Sequence, residues 1–218
     1  MTNQTIADQV EAFHAKVPEL FPADVWSVVT EEQAAHRAKT PGRLPALGSP
    51  MPDGNLLDVH GRWTSLTAAR DGRAAVVVFY RGAWCPYCNI ALRTYSEELE
   101  PVLLSRGIAL IAVSPQKPDE ALSLQEKNEL AFPVLSDPGN QIAAALGVLT
   151  AFGDAAHEAL TPVGIDVPAS NADGTSGIPM PTVVLVDAAG AIRWIDVHND
   201  YTTRTETAEI LGHLAGFR

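Results

Sequence analysis

Three continuous apolar stretches stand out along the chain, at residues 74–80, 108–113 and 182–186. They are rich in β-branched residues, and such runs favour strands that are buried on both faces of a parallel or mixed α/β sheet. Residues 191–197 follow the third run after a turn and are expected to return antiparallel to it. The pattern therefore predicts a central sheet built around these segments.

A long helix is predicted directly after the first apolar run. Arg81 and Gly82 interrupt that run, and apolar residues then recur at helical spacing. These residues are Leu92, Tyr95, Leu99 and Leu103. We expect the helix to begin at or just after Cys85, so that a strand, a loop and a helix N-terminus follow one another.

The N-terminal region predicts two helices. Apolar spacing over residues 6–17 indicates the first helix, and the second covers about residues 22–39, before the Pro41-Gly42 pair. We expect a helical extension over residues 1–41, followed by one domain over residues 42–218. The extension is expected to pack against the domain or a partner subunit rather than to take part in catalysis.

The remaining elements are shorter. Residues 55–66 predict a β-hairpin around His60-Gly61, and helices are expected at residues 115–128, 140–146 and 205–214. Residues 150–179 contain scattered Gly, Pro and Asp residues and predict an excursion with one helix near residues 154–160. Strands and helices alternate first, and an antiparallel hairpin and a helix follow, which indicates an α/β fold.

Composition narrows the function classes. The chain has 218 residues, is 46% hydrophobic and carries a formal net charge of −11, which argues against nucleic acid or an anionic membrane as a partner. The N-terminus lacks the features of a signal peptide, and no apolar run approaches membrane-spanning length. The only two cysteines form a Cys-X-X-Cys pair, which fits a reducing cytosol, so we expect a cytoplasmic protein.

Cys85 and Cys88 are the candidate catalytic residues. A cysteine at a helix N-terminus lies beside unpaired N–H groups and the positive end of the helix dipole, which favour its thiolate. Cys85 is therefore predicted to be the more reactive thiol and the nucleophile. Cys88, one turn later, is predicted to resolve the mixed disulfide.

Other roles for the cysteine pair have less support. A structural disulfide that closes so short a loop would remove little chain entropy. A structural zinc site normally takes four protein ligands, and the sequence offers no second cysteine pair and no close histidine pair. We expect neither a metal nor a cofactor.

Two residues beside the cysteines are open to more than one interpretation. Arg81 could stabilise a thiolate or bind an anionic substrate group, or it could be a solvated loop residue. Trp84 could shield one side of the pair or simply pack in the core.

The order of these elements, with Trp-Cys-Pro-Tyr-Cys after the first central strand, resembles the thioredoxin fold. Residues 44–215 are most similar to the peroxiredoxins of the alkyl hydroperoxide reductase/thiol-specific antioxidant group. The similar segments are Gly48-Ser-Pro-Met-Pro-Asp53, Val-Val-Val-Phe-Tyr-Arg-Gly before the cysteines, Ala112-Val-Ser-Pro115, Phe132-Pro-Val-Leu-Ser-Asp137 and residues 183–193. The resemblance implies a thioredoxin-like mixed sheet flanked by helices. Met180-Pro181-Thr182 also resembles the cis-proline segment of that fold, so Pro181 is predicted to be cis and to face the cysteines.

The resemblance departs from the usual peroxiredoxin pattern at the active site. In Pro-x-x-x-Thr/Ser-x-x-Cys, the last position falls on Cys88, the Thr/Ser position on Cys85 and the Pro position on Arg81. The remote arginine of the family would fall near Met180, where the chain has none. The sequence therefore predicts slow reaction with hydrogen peroxide, with only Arg81 as a substitute donor.

Three functions follow as expectations. The first is an antioxidant thiol oxidoreductase that exchanges disulfides, with Cys85 as nucleophile. The second is a thiol-dependent peroxidase with Cys88 or Cys85 peroxidatic, and the third is a non-catalytic redox-sensing or binding module. The expected partners are a disulfide or hydroperoxide substrate and a cellular thiol reductant such as thioredoxin or glutathione; a homodimer is compatible with the extension.

Overall fold

A computed structural model describes residues 4–214 of the chain. The strands are β1 (Leu56–Leu57), β2 (Trp63–Thr64), β3 (Ala75–Phe79), β4 (Ala109–Ser114), β5 (Val134–Ser136), β6 (Leu149–Ala151), β7 (Gly177–Pro179), β8 (Thr182–Val186) and β9 (Ile192–Val197). The α-helices are α1 (Ile6–His14), α2 (Val17–Leu20), α3 (Ala23–Ala38), α4 (Leu66–Arg70), α5 (Pro86–Thr94), α6 (Glu100–Ser105), α7 (Pro118–Lys127), α8 (Gln141–Ala145), α9 (Asp154–Leu160), α10 (Val167–Ser170) and α11 (Thr207–His213).

A seven-stranded mixed sheet in the order β2-β1-β5-β4-β3-β8-β9 forms the centre of the molecule. β4 runs parallel to β3 and β5, whereas β8 runs antiparallel to β3 and β9. The three apolar runs become β3, β4 and β8, which are neighbours and buried along their whole length. The predicted core strands and the antiparallel return of β9 are therefore confirmed.

The two faces of the sheet bury separate hydrophobic clusters. Successive side chains of a strand point to opposite faces, so Val76 and Val78 pack into the cluster that contains the cysteines. Val77 and Phe79 pack into the cluster on the other face. The cysteine pair thus lies on one face of the sheet, between β3 and the helices that cover it.

The predicted long helix after the cysteines is confirmed over residues 86–105. It contains a π-helical turn at Tyr95–Leu99 that connects α5 to α6. This turn could not be predicted, because the apolar spacing of the helix continues through it. π-helical turns are frequent at functional sites.

The N-terminal extension forms its predicted helices and packs on α5. The Thr5 hydroxyl and the Asp8 carboxylate cap the start of α1 reciprocally. Ile6 and Val10 are buried in the same hydrophobic cluster as Val76 and Val78. The extension and the sheet therefore share one core.

Residues 150–179 form the predicted excursion, which includes α9 at the expected place. β6 and β7 pair antiparallel and close the excursion at its base, a pairing that the sequence did not reveal. The predicted hairpin is present as β1 and β2, but it is shorter than expected, because Ser65 caps α4 and the chain turns into a helix at Leu66.

Replacement of a buried residue of α1 tests whether the extension belongs to the cooperative core. Ile6 is 1% exposed, and Ile6→Ala should lower the free energy of unfolding by about 2–5 kcal/mol in urea denaturation. The control is Leu104→Ala, since Leu104 is 64% exposed and should cost less than about 1 kcal/mol. Equal, small effects of the two changes would mean that α1 unfolds independently of the sheet.

Candidate active site

The cysteine pair lies at the N-terminus of α5, as the sequence predicts. Cys85 is the N-cap residue, Pro86 is the first residue of the helix, and Cys88 follows one turn later. Both thiols are free, and each residue is only 1% exposed. Cys85 is thus as buried as Cys88, and aromatic side chains from other parts of the chain surround it.

The loop between β3 and Cys85 is fixed by Gly82 and by side chains that bind Ala83. Gly82 has a φ of 152°, and a Cβ atom there would lie 2.4 Å from the indole nitrogen of Trp84. The Ala83 N–H donates to the buried Gln116 side chain, and the Ala83 carbonyl accepts from Asn89 Nδ2 at 2.9 Å. These contacts fix the position of the loop, and with it the positions of Arg81 and Cys85 at its two ends.

Arg204 is the functional residue that sequence reasoning missed. Its Nη2 atom lies 2.9 Å from Cys88 Sγ and 3.7 Å from Cys85 Sγ. The Nη1 atom donates to the carbonyls of Tyr201 and Thr203 at 2.7 and 2.6 Å. The sequence signal is weak, because Arg204 is a single basic residue in a polar segment, 116 residues away from Cys88.

The segment that carries Arg204 is fixed on both sides. The hydroxyl of Tyr95, the first residue of the π-helical turn, donates to the Thr205 carbonyl. The Glu206 carboxylate accepts from the N–H groups of Ile6 and Ala7 at 3.0 and 2.9 Å. The N-terminal extension therefore helps to hold the guanidinium of Arg204 against the cysteines.

The charge distribution in the pair is opposite to the expectation from helix position alone. Burial acts to raise the pKa of Cys88, but the hydrogen bond from the Cys85 thiol, the Arg204 charge and the Arg81 N–H at 3.4 Å hold that pKa well below its usual range. Burial and the neighbouring Cys88 sulfur raise the pKa of Cys85 well above its usual range. The contacts of Arg204 and the Arg81 N–H thus favour negative charge at Cys88 rather than at Cys85, the thiol that the helix N-terminus alone would favour.

Arg81 is buried rather than solvated, at 2% exposure. Its guanidinium carbon lies 3.8 Å from the ring centre of Tyr201, 4.4 Å from that of Phe152 and 5.2 Å from that of Trp84. Its main-chain N–H contributes to the Cys88 site, whereas Nε and Nη2 of its side chain have no hydrogen-bond partner. Arg81 is thus a cation held inside an aromatic shell.

A pocket that opens to solvent lies over Cys85. Aromatic residues of the extension form one wall, and Trp84 and Tyr87 of the cysteine motif and Phe152 and Tyr201 contribute others. Trp84 lines the pocket beside Cys85 and also packs against Phe152. Shielding of the cysteines and core packing, the two roles considered for Trp84, are therefore compatible. The extension, which we expected to be remote from catalysis, forms part of the approach to the thiols.

Hydrogen bonds tie the extension to the cysteine motif. The Tyr87 hydroxyl lies 2.9 Å from His14 Nε2 and accepts from Gln33 Nε2 at 3.2 Å. His14 belongs to α1 and Gln33 to α3, so two helices of the extension contact Tyr87, one of the two residues between the cysteines.

The prediction of a cis bond at Pro181 is wrong. Between residues 4 and 214 all peptide bonds are trans, including Met180–Pro181. The Met180 N–H donates to the Val148 carbonyl at 2.8 Å, and the Pro181 carbonyl accepts from the His198 N–H at 2.9 Å. The segment is thus held by its neighbours in the trans form, which X–Pro bonds favour by about 0.5–1 kcal/mol. A substrate-binding backbone of the thioredoxin type is therefore not available at Pro181.

Residues 4–214 contain neither a candidate metal cluster nor a helix that could span a membrane. In the range 4–214, no cluster of three His, Cys, Asp or Glu side chains is arranged to hold a metal ion. Over the same residues, the helices are too short or too polar to cross a membrane.

Replacement of Arg204 tests the charge distribution in the pair. The ultraviolet absorbance of the reduced protein should reveal one thiolate that persists below the usual thiol pKa of about 8.5 and disappears as the pH falls through the lowered pKa of Cys88. Arg204→Met should shift this titration to higher pH. Arg93→Met removes the same charge from an exposed position and should leave the curve in place. An unchanged curve in Arg204→Met would contradict the assignment.

Several curated proteins are similar to this chain. A protein named "Putative peroxiredoxin bcp" from Haemophilus influenzae is 32% identical over 106 residues, which are 47% of this chain and 65% of that protein. "Peroxiredoxin Bcp" from Escherichia coli is 31% identical over 104 residues, which are 46% of this chain and 64% of that protein. The matched segments thus span slightly less than two thirds of these relatives.

Solved structures of other proteins and a protein-family model also resemble this chain. Peroxidoxin BcpB from Mycobacterium tuberculosis superposes with a TM-score of 0.59 at 18% identity, covering 79% of this chain and 97% of that one. A thiol peroxidase from Chromobacterium violaceum gives a TM-score of 0.59 at 16% identity, with 81% and 89% covered. These similarities confirm the thioredoxin-like fold. Residues 47–195, more than half of the chain, match the model of the AhpC/TSA family, and the chain therefore belongs to that family.

Proposed function

We propose that this protein is a thiol-dependent peroxidase in which Cys88 is the peroxidatic cysteine and Cys85 resolves it. The observation that carries the proposal is the contact of 2.9 Å between Arg204 Nη2 and Cys88 Sγ. It selects Cys88, which also occupies the cysteine position of the peroxiredoxin pattern. The roles of the two cysteines are thereby reversed from those predicted for disulfide exchange.

The first chemical step is attack of the Cys88 thiolate on a hydroperoxide. A bond forms between Cys88 Sγ and the terminal peroxide oxygen, the O–O bond breaks, and the sulfur becomes a sulfenic acid. The leaving alkoxide or hydroxide takes up a proton and departs as an alcohol or as water. Arg204, which carries a positive charge beside the sulfur, can stabilise the negative charge that develops on the oxygens.

The second step closes the disulfide. The Cys85 sulfur loses its proton and attacks the Cys88 sulfenic sulfur, so that an S–S bond forms and water leaves. The pair is then oxidised by two electrons. A cellular thiol reductant, such as thioredoxin or glutathione, returns both residues to thiols, and we include such a reductant in the proposal.

The donors at Cys88 substitute for those that the usual pattern supplies. The Cys85 thiol stands in the Thr/Ser position and donates to Cys88, and Arg204 approaches from the segment before α11. The expectation of slow peroxide reaction rested on the apparent lack of such donors other than Arg81. With Arg204 beside the sulfur, we expect efficient reaction instead.

Disulfide exchange remains the second candidate, and one observation favours it. Cys85, rather than Cys88, lines the pocket that opens to solvent. A thiol in that position could receive a disulfide substrate after proton transfer within the pair. A non-catalytic redox module is the third candidate, and an unreactive cysteine pair would favour it.

Single cysteine variants test the assignment. After treatment with hydrogen peroxide, Cys85→Ser should accumulate a sulfenic acid on Cys88, because the resolving thiol is missing; dimedone labelling and peptide mass spectrometry would locate it. Cys88→Ser should form little adduct at Cys85, whose pKa is raised. Wild-type protein should show the disulfide between Cys85 and Cys88 instead.

The reverse pattern would contradict the proposed roles. An adduct on Cys85 in Cys88→Ser, together with an inert Cys85→Ser, would make Cys85 the peroxidatic residue. Insulin-disulfide reduction by wild-type protein without peroxide turnover would favour the second candidate.

A further inference from the structure

The side chain of Arg81 is a buried cation without a counter-ion in the part of the chain that the structure describes. It is 2% exposed, and its Nε and Nη2 atoms make no hydrogen bond. Buried charges are normally paired, because removal of an ion from water carries a large free-energy cost. The aromatic rings around the guanidinium recover part of that cost through cation–π attraction. They leave the N–H groups on Nε and Nη2 without hydrogen-bond partners.

The nearby negative charges have other partners. The Cys88 thiolate accepts hydrogen bonds from Arg204 Nη2 at 2.9 Å and from the main-chain N–H of Arg81. It accepts none from the Arg81 side chain. Glu32 lies 3.0 Å from His36 Nε2 and 3.9 Å from Lys39 Nζ, and it also accepts from the Gly153 N–H. Burial and the charges of Arg81 and Lys39 together lower the pKa of His36 to about 4, so His36 is neutral at physiological pH.

The unsatisfied atoms of Arg81 are suited to a carboxylate. The N–H groups on Nε and Nη2 point in the same direction from a planar guanidinium, and this edge binds the two oxygens of a carboxylate in parallel. Trp84 adds a second buried donor without a partner, its Nε1 atom. Both residues line the pocket over Cys85.

The rest of the pocket lining favours an aromatic ring. Phe13, Phe21 and Trp26 of the extension line the pocket together with Phe152 and Tyr201. Aromatic side chains bind flat rings by offset stacking and edge-to-face contact. A ring bearing one carboxylate would use these side chains and the Arg81 edge together.

We propose that the pocket over Cys85 binds a compact aromatic carboxylate, whose acidic group pairs with the Arg81 guanidinium. This assignment rests on the proposed function and deepens it: the substrate is a benzylic hydroperoxide whose aromatic ring carries a carboxylate. Its O–O bond is broken by Cys88, which does not itself line the pocket, so the peroxide group must extend past Cys85 to reach the Cys88 sulfur. Arg81 then determines specificity, and Arg204 acts on the reacting atoms.

Calorimetric titration of the reduced full-length protein tests this binding without turnover. The probes are 2-naphthoate and 2-naphthamide, which have the same ring and nearly the same shape but differ in charge. A charge-assisted, bidentate hydrogen bond should make 2-naphthoate bind about 10- to 100-fold more tightly. In Arg81→Met this preference should fall to near unity, whereas Arg93→Met, which removes an exposed charge outside the pocket, should retain it.

Several results would overturn the assignment. They are equal affinity of the wild-type protein for the two probes, binding of neither probe, and a preference for 2-naphthoate that survives in Arg81→Met. If Arg81→Met does not fold, the comparison of the two probes on wild-type protein still decides. In that case, 2-naphthoate should also protect Cys85 from alkylation at concentrations at which 2-naphthamide does not.

A kinetic comparison separates this inference from the proposed function. Cumene hydroperoxide and its para-carboxylate should differ about tenfold or more in kcat/KM in favour of the carboxylate. Peroxide turnover without that preference would reject the aromatic carboxylate alone. Selective binding of 2-naphthoate without any peroxide turnover would reject the peroxidase alone.

Discussion

A thiolate that is buried needs a cation and hydrogen-bond donors at the sulfur, because desolvation otherwise keeps the sulfur protonated. In this protein Arg204 supplies the cation to Cys88 at 2.9 Å. The position of Arg204 depends in turn on carbonyls of its own segment, on Tyr95 and on the link between Glu206 and α1. The chemistry of the pair therefore depends on packing that spans the chain from its first described helix to its last.

The same constraint gives the N-terminal extension a role beyond stability. α1 fixes the segment of Arg204 through Glu206, and aromatic residues of the extension form a wall of the pocket over Cys85. Both Arg204 and Arg81 donate to the Cys88 sulfur, but only Arg204 does so through its guanidinium. The second guanidinium, that of Arg81, contacts aromatic rings and has no hydrogen-bond partner at Nε and Nη2. These two atoms are the ones that we propose bind an anionic ligand.

Features that depend on local sequence could be predicted. The runs that become β3, β4 and β8 and the start of α5 at the cysteines follow from burial and capping patterns that neighbouring residues determine. The charge distribution in the pair could not be predicted in this way. The helix N-terminus favours Cys85, but a distant arginine at hydrogen-bond distance from Cys88 outweighs a partial helix charge.

The remaining errors have the same origin. Arg204 lies in a segment without periodicity or motif. The Met180–Pro181 segment is held by His198, directly after β9, and by Val148, directly before β6. The burial of Arg81 depends on Phe152 and Tyr201, which are far from it in sequence. Each of these features is a tertiary contact that a single sequence does not encode in a recognisable spacing.

The most direct test of the account is the pH dependence of the reaction with hydrogen peroxide, measured by stopped flow for wild-type protein and Arg204→Met. The wild-type rate should be flat through neutral pH, because Cys88 is already a thiolate. Arg204→Met should be slower by about 10²–10³ at neutral pH and should recover part of that loss as the pH approaches the usual thiol pKa of about 8.5. Two profiles of the same height and shape would contradict the central role of the Arg204–Cys88 contact.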